Sequence, residues 1–318
     1  MAAQMHARPS PYDGLATRYD RSRPSYPPES IAHLQVDADD IVADVGAGTG
    51  IFTRQLAGGL TKAKVIGVEA SEDMLGEAER SSFGIANLSF VPGRAETLPF
   101  EDKTLRMVTV ATAIHWFDRP AFYAEVVRCL RPDGELVVLQ NIRRWWQDRF
   151  LADYEALHEA AVEGYRRGRY PNRHGTYDEI DVEAELLARP DFGDVGVSDF
   201  NWLRAMSRDQ FIDFSLSSSI TQRAVAAMGE QAYLDALRRL LEQWDGGTGM
   251  IEIPYLTRVT SARPATNQTA RTTGAPSLGI LIVPRSHRSD LRHASESKAA
   301  VLPAQLGDPC RPHEGGGA

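Results

Sequence analysis

The sequence predicts an α/β fold built on a parallel, doubly wound sheet. Three observations carry this reading. Strand-like and helix-like stretches alternate over about 140 residues. A glycine-rich loop follows the first strand, and an acidic residue ends the second. The chain has 318 residues, 42% apolar and 25% charged, the usual mix for a globular protein that buries a substantial core without staples. Two cysteines, Cys129 and Cys310, have no metal-ligand spacing, so a disulfide scaffold, a zinc ribbon and an iron–sulfur site are not expected.

Ser10 to Leu34 is polar, aromatic and proline-rich, and reads as a short helix, a turn and a second helix entered at Pro28. Asp40–Val45 is a buried-strand run, followed by glycines and a helix pattern over Ile51–Leu60. Lys64–Val68 is strand-like, and Ser71 caps a helix with Glu72 and Asp73 in its first turn. Leu88–Val91 is a short strand and Arg106–Ala113 a stronger one. Asp118 caps a helix to Cys129–Leu130 that stops at the turn Pro132-Asp133-Gly134, and Glu135–Gln140 is the next strand.

Beyond Asn141, Trp145–Arg169 reads as helical and aromatic, with Trp145 and Trp146 read as cap packing in preference to a recognition device. Arg166, Arg167, Arg169 and Arg173 mark a basic turn, either solvated or selecting an acidic substrate. Val195–Trp202 alternates as a strand, Ser207 starts a helix, and Leu216–Trp244 is amphipathic and helical with a break at Gly229. Met250–Ser261 alternates again and is expected to close the sheet. From Arg263 onward there is no Phe, Trp or Tyr, a composition too poor in apolar surface to offset its ordering entropy. Only Leu278–Val283 offers a patch that would dock.

Charge divides the chain. Seven Lys/Arg face four Asp/Glu after Ala262, against 28 and 39 before it. So acidic a body argues against a nucleic-acid partner, whose phosphates are bound mainly by cationic neutralisation. The N-terminus shows no apolar leader core, and the longest apolar run, Met107–Phe117, is too short to span a bilayer. A cytoplasmic enzyme is expected, and no metal site.

The chemistry concentrates in Asp44-Val45-Gly46-Ala47-Gly48-Thr49-Gly50, at a strand's carboxyl end and running into a helix. Glycines there permit a tight turn and close approach of a ligand to the backbone. A dinucleotide fingerprint requires Gly or Ala where Ile51 stands, which disfavours a nicotinamide oxidoreductase. Nineteen residues past Gly50, Glu69 can accept both hydroxyls of an adenosine ribose. His115, at the carboxyl end of strand four, is the candidate general base; the alternative is a packing histidine beside Trp116 and Phe117.

These residues resemble the class I S-adenosylmethionine-dependent methyltransferases, in the type 11 domain. Asp44–Gly50 resembles their first motif, and Gly67-Val68-Glu69-Ala70-Ser71 with Met74-Leu75 the second. Gly93–Glu96 with Leu98-Pro99-Phe100 resembles the adenine-side loop, Ala113–Phe117 the end of strand four, and Leu130–Glu135 the turn before strand five. Arg23–Pro27 and Ile253–Val259 are similar to elements of a trans-aconitate methyltransferase-like branch of small-molecule enzymes. Leu105-Arg106 and Arg94 depart from the family pattern.

The resemblance implies a Rossmann-like, seven-stranded sheet with helices on both faces and a helical cap inserted after strand five. It implies a lid segment over residues 1–34, a cofactor-binding core over 35–142, a cap with closing strands over 143–262, and an unstructured tail over 263–318. It implies S-adenosylmethionine as cofactor, with Asp44, Gly46, Gly48 and Gly50 along its methionine end. Glu69 would take its ribose, with Ala70 beside it, and Ala95 and Glu96 would lie at the adenine. Tyr19 and Arg23 are expected to bind as a lid over the cofactor, with Arg23 near an anionic carboxylate; the alternative is an ordinary surface helix. The partner implied is a small-molecule methyl acceptor, methylated on carboxylate, hydroxyl or carbon. A non-catalytic cofactor-binding protein and a nucleic-acid methyltransferase are the alternatives, although the proline-proline-aromatic tetrapeptide of amino-methylating enzymes is missing at Thr112–Phe117.

Overall fold

The computed structural model describes residues 14–166, 171–172, 175–176 and 180–265. Arg167, Arg169, Arg173, Cys310 and Leu278–Val283 lie outside them. Seven strands form one sheet: β1 (Ile41–Val45), β2 (Lys64–Glu69), β3 (Leu88–Pro92), β4 (Leu105–Ala111), β5 (Leu130–Arg143), β6 (Phe192–Ser207) and β7 (Met250–Pro264). Their order is β3-β2-β1-β4-β5-β7-β6. The first five are parallel, whereas β7 runs antiparallel to both β5 and β6. The order reverses between β1 and β4, which opens a crevice at the carboxyl ends of these strands, where α/β sheets bind ligands.

Strand alternation supplies a core on each face. Ala43, Val45, Leu136 and Val138 pack on one side with α4 (Arg119–Cys129) and α6 (Val182–Leu187). Val42, Val137 and Leu139 pack on the other with Phe52 and Leu56 of α2 (Ile51–Gly59). The Ser71 side chain accepts from the Met74 amide to cap α3 (Glu72–Ser81), and Asp118 accepts from Ala121 to cap α4. A third cluster joins α5 (Arg149–Ala161), α7 (Arg208–Leu216), α8 (Ser219–Met228) and α9 (Glu230–Trp244) through Tyr154, Phe211, Tyr233 and Leu237. Gly229, at φ +85°, separates α8 from α9, and Ser207 with Gln210 forms a reciprocal capping box on α7.

Several elements differ from their sequence expectation. The helix expected at Pro28 is one 3₁₀ turn, Pro28–Ser30, because Tyr26 is held extended by a reciprocal pair of hydrogen bonds with the Gln55 amide. Among the described residues, the helix expected over Trp145–Arg169 is confined to α5, which starts where Asp148 caps the Leu151 amide. Met250–Pro264 lies inside the sheet rather than closing it, and β6 takes the edge. Arg263 and Pro264, placed in the tail by composition, pair with Gly193 and Phe192. Arg106, a departure from the family pattern, reaches the buried Asp40 at 4.0 Å, and Arg131 reaches the same carboxylate at 2.8 Å.

Candidate functional site

The glycine loop is anchored beneath by Asp44. This carboxylate is buried and accepts from the hydroxyls of Thr53 (2.7 Å) on α2 and Thr109 (2.9 Å) on β4. Burial pushes its carboxyl up to about 7, against the lowering effect of the two hydroxyls. Asp44 therefore ties β1, α2 and β4 together from below the loop.

The three loop glycines are required for different reasons. All have positive φ, at +71°, +57° and +81° for Gly46, Gly48 and Gly50. A Cβ on Gly46 would lie 2.7 Å from that of Ala113, and one on Gly50 would lie 2.7 Å from the Phe90 ring. Those two positions serve packing. A Cβ on Gly48 would meet nothing within 4 Å, so this is the loop position that faces open space.

Glu69, at the end of β2, is aimed at that position. Its Oε2 accepts from the Gly48 amide at 2.8 Å, and its Oε1 accepts from Ala70 (2.9 Å) and Ser71 (2.8 Å). Three backbone amides thus fix the carboxylate before any ligand arrives, and Oε2, which accepts only one of them, keeps lone-pair capacity for a hydroxyl donor. A fixed carboxylate beside an unfilled backbone cradle fits the ribose end of an adenosyl cofactor. Ala95 is buried, and Glu96 accepts from the Asp118 amide (3.0 Å) while Arg94 lies 3.6 Å away. The Arg94 departure is thereby absorbed in an ion pair with its neighbour.

The other wall of the crevice comes from the end of β4. Thr112 has φ +53°, an uncommon conformation for a β-branched residue. Its hydroxyl accepts from the Asn141 amide of β5 (3.2 Å) and pairs with the Tyr26 hydroxyl (2.7 Å). His115 follows in the 3₁₀ turn Ile114–Trp116, its ring 4.9 Å from that of Trp116. Burial, reinforced by the charge of Arg119, lowers the imidazole to about 4. It is neutral near pH 7 and a weak base, since general-base efficiency is greatest when the pKa lies near the working pH.

The expected lid is helix α1 (Ala16–Ser22), which bridges two regions. The Gly14 amide donates to Asp73 and the Thr17 hydroxyl to Glu77, both on α3, and Asp20 pairs with Arg54 of α2 at 2.6 Å. Desolvation raises the Glu77 carboxyl, but hydrogen bonds from Thr17, Ser81 and Arg80 outweigh it and leave it below the usual range. Toward the cap, Arg23 donates to the Ser217 carbonyl (3.2 Å), and its guanidinium lies 4.7 Å from the Tyr19 ring centroid and 5.2 Å from that of Phe214. Tyr19 and Arg23 therefore stand at the lid–cap junction, on the helix whose Asp20 pairs with Arg54, which donates to the Thr49 carbonyl of the glycine loop. Trp145 and Trp146 meet edge to face at 5.9 Å, with Trp145 packed against the cap cluster, and Arg166 donates to the Tyr165 carbonyl.

Sequence reasoning missed Thr112, and it missed Arg143 and Arg204, which converge on Phe214 beside Arg23. The available signal was a pair of arginines inside strand alternation, in the phase shared with Trp202 and Tyr255. Among the described residues, no group of three or more His, Cys, Asp or Glu is placed to hold a metal, and no helix is long and apolar enough to cross a membrane.

Residues 42–134 match the family model for a methyltransferase domain. An uncharacterized methyltransferase of Mycobacterium tuberculosis is 39% identical over 126 residues, covering 39% of this chain and 49% of that protein. The malonyl-[acyl-carrier protein] O-methyltransferase of a Marinomonas species is 30% identical over 134 residues, 39% of this chain and 50% of that one. The chain spans about half the length of the curated relatives it matches. A solved structure of a candidate type II methyltransferase from Anaeromyxobacter dehalogenans has a TM-score of 0.55 at 18% identity, over 76% of this chain and 97% of that one, a likeness of fold.

Proposed function

We propose that this chain, whose residues 42–134 match the family model for a methyltransferase domain, is a class I enzyme that transfers a methyl group from S-adenosylmethionine to a small-molecule acceptor. The observation that carries the reading is Glu69, held by three backbone amides next to the open face of Gly48. In the proposed complex Glu69 accepts a ribose hydroxyl, and the Gly46–Gly50 backbone lies along the methionine end. Ala70, Ala95 and Glu96 border the adenosine side. Asp44 acts from below, by fixing the loop through Thr53 and Thr109.

The sulfonium of the bound cofactor supplies a methyl group that is already electrophilic. What the protein contributes is alignment and exclusion of water. A neutral, weakly basic His115 supports an acceptor that arrives deprotonated, a carboxylate in preference to an alcohol or carbon acid. The similarity to an enzyme named as an O-methyltransferase supports an oxygen acceptor.

Calorimetric titration of the full chain with S-adenosylhomocysteine and with NAD tests the cofactor assignment. The expected result is binding of the former alone; tighter binding of NAD overturns it. Incubation with cofactor labelled in the methyl group and a metabolite extract tests the activity: label is expected in a small-molecule product, and none appears if the protein only binds.

A further inference from the structure

Beyond the cofactor site, the cap side of the sheet gathers an unusual concentration of positive charge. The guanidiniums of Arg23, Arg143 and Arg204 lie 5.2, 5.6 and 5.8 Å from the centroid of one ring, Phe214. They come from three distant parts of the sequence: the end of α1, the last residue of β5, and β6. The antiparallel ladder sets Arg143 opposite Tyr255 and Tyr255 opposite Trp202, which puts Arg204 two residues further along the same face. All three arginines are half-buried. The charge of Arg23 acts on Arg204, and half-buried charges are screened little by salt.

Protein carboxylates do not balance this charge. Arg143 pairs with Glu155 at 3.2 Å. Among the described residues neither Arg23 nor Arg204 has an ion pair; each donates to a main-chain carbonyl, Ser217 and Ser22 respectively. One N–H of each, Arg23 Nε and Arg204 Nη1, is buried without a hydrogen-bond partner. Burial pulls the Arg204 guanidinium below its ordinary range, Tyr255 works against that, and the charge of Arg23 adds to the lowering. Arg204 also lines a cavity of about 500 Å³ between α1, β6 and α7, whose other charged walls are Arg18, Arg21 and Asp213. That is space for a small ligand, and its walls are cationic on balance.

The cluster also lies on the catalytic edge of the sheet. Two residues after Arg23, the Ser25 carbonyl accepts from Asn141 on β5, and Tyr26 reaches Thr112 at the end of β4. We propose that Arg23, Arg143 and Arg204 form the anion-recognition site for the methyl acceptor, and that this acceptor is a compact polyanion carrying two or more negative charges. A polycarboxylate and a phosphate ester share that chemistry, and planar guanidinium forks suit both. The inference rests on the methyltransferase reading and adds to it the class of acceptor.

The test is calorimetry on the full chain with citrate, glutarate, inorganic phosphate and butyrate, each with and without saturating S-adenosylhomocysteine. The expected result is that at least one of the polyanions binds tenfold or more tightly than butyrate. Arg204→Gln is expected to weaken that binding at least tenfold while changing S-adenosylhomocysteine affinity less than twofold, with Arg204→Lys in between. Binding by citrate or glutarate assigns a polycarboxylate, and binding by phosphate alone assigns a phosphate ester. Should Arg204→Gln fail to fold, Arg204→Lys, which keeps the charge and loses the planar fork, serves the same comparison. Butyrate binding as tightly as the polyanions, a variant that keeps polyanion affinity, or a parallel loss of S-adenosylhomocysteine affinity overturns the proposal. Failure of the parent chain to bind S-adenosylhomocysteine instead removes the methyltransferase reading, and the titrations without it still report on the arginines.

Discussion

Replacing Glu69 by alanine removes two things at once, and their sizes separate them. In the protein alone it frees three backbone donors now bound to the carboxylate at 2.8–2.9 Å. Hydrogen bonds to a charged group contribute about 1.5–3 kcal/mol each when sheltered. The Ala70 interaction is exposed and the other two half-buried, so water replaces much of what is lost. A stability change of about 1–2 kcal/mol, or about 2–4 °C in Tm per kcal/mol, is the expected scale. In the complex the loss is one ribose hydroxyl contact to a preorganised anion, about 1.5–3 kcal/mol, or roughly 10–150-fold in Kd. Glu69→Gln is expected to behave almost as badly, because its amide nitrogen would face an N–H donor of Gly48 or of Ala70 and Ser71. Calorimetry with S-adenosylhomocysteine gives the affinity, and thermal melts of the same samples give the stability. A folded Glu69→Ala chain with a Kd within threefold of the parent would refute the argument.

Three further outcomes follow from the same geometry. Gly48→Ala, which adds a methyl into open space at φ +57°, is expected to cost about 1 kcal/mol of stability but to weaken cofactor binding; Gly46→Ala, 2.7 Å from Ala113, is expected to cost more in stability. Thermal melts with and without S-adenosylhomocysteine check the contrast. His115→Ala is expected to lower turnover less than about tenfold, because a base at about 4 moves few protons near neutrality; a loss above a hundredfold with unchanged cofactor affinity would identify it as a working base. Asp44 holds its proton in the folded state up to about pH 7 and releases it from about 3.8 when unfolded. The native state therefore loses stability as pH rises between those values, by up to about 4 kcal/mol, and the loss levels off above 7. Asp44→Asn should flatten Tm against pH across that window, and an unchanged slope would count against the burial of this carboxyl.

The loop and its carboxylate were legible in the sequence because their chemistry is local. Glycines 46, 48 and 50 sit at one turn, and Glu69 ends the next strand, so strand order brings them together without knowledge of register. Even there, the sequence does not distinguish Gly48, which faces space, from Gly46 and Gly50, which meet the side chains of Ala113 and Phe90. Arg143 and Arg204 were illegible for the opposite reason. They are brought to Phe214 by two antiparallel ladders whose register depends on pairings such as Arg143 with Tyr255 and Ser207 with Met250. A one-residue slip would turn every side chain to the other face. The basic turn at Arg166 drew attention from composition, whereas the convergent arginines lie in alternating strands that read as ordinary edges.

Those ladders also bear on how the enclosure opens. The pairing of β5 with β7 runs without interruption from Leu136 to Arg143, and that of β7 with β6 continues to Ser207, directly before α7. These main-chain ladders tie the strand that leads into α7 directly to the sheet. Helix α1, seven residues long, is fastened instead by a handful of side-chain bonds to α2, α3 and the cap. If this helix is the lid that the sequence predicts, its undocking, with Arg23 leaving Phe214 and Thr17 leaving Glu77, would govern product escape. A turnover that slows in viscous sucrose, and quickens in Thr17→Val, is the kinetic signature of such a gate.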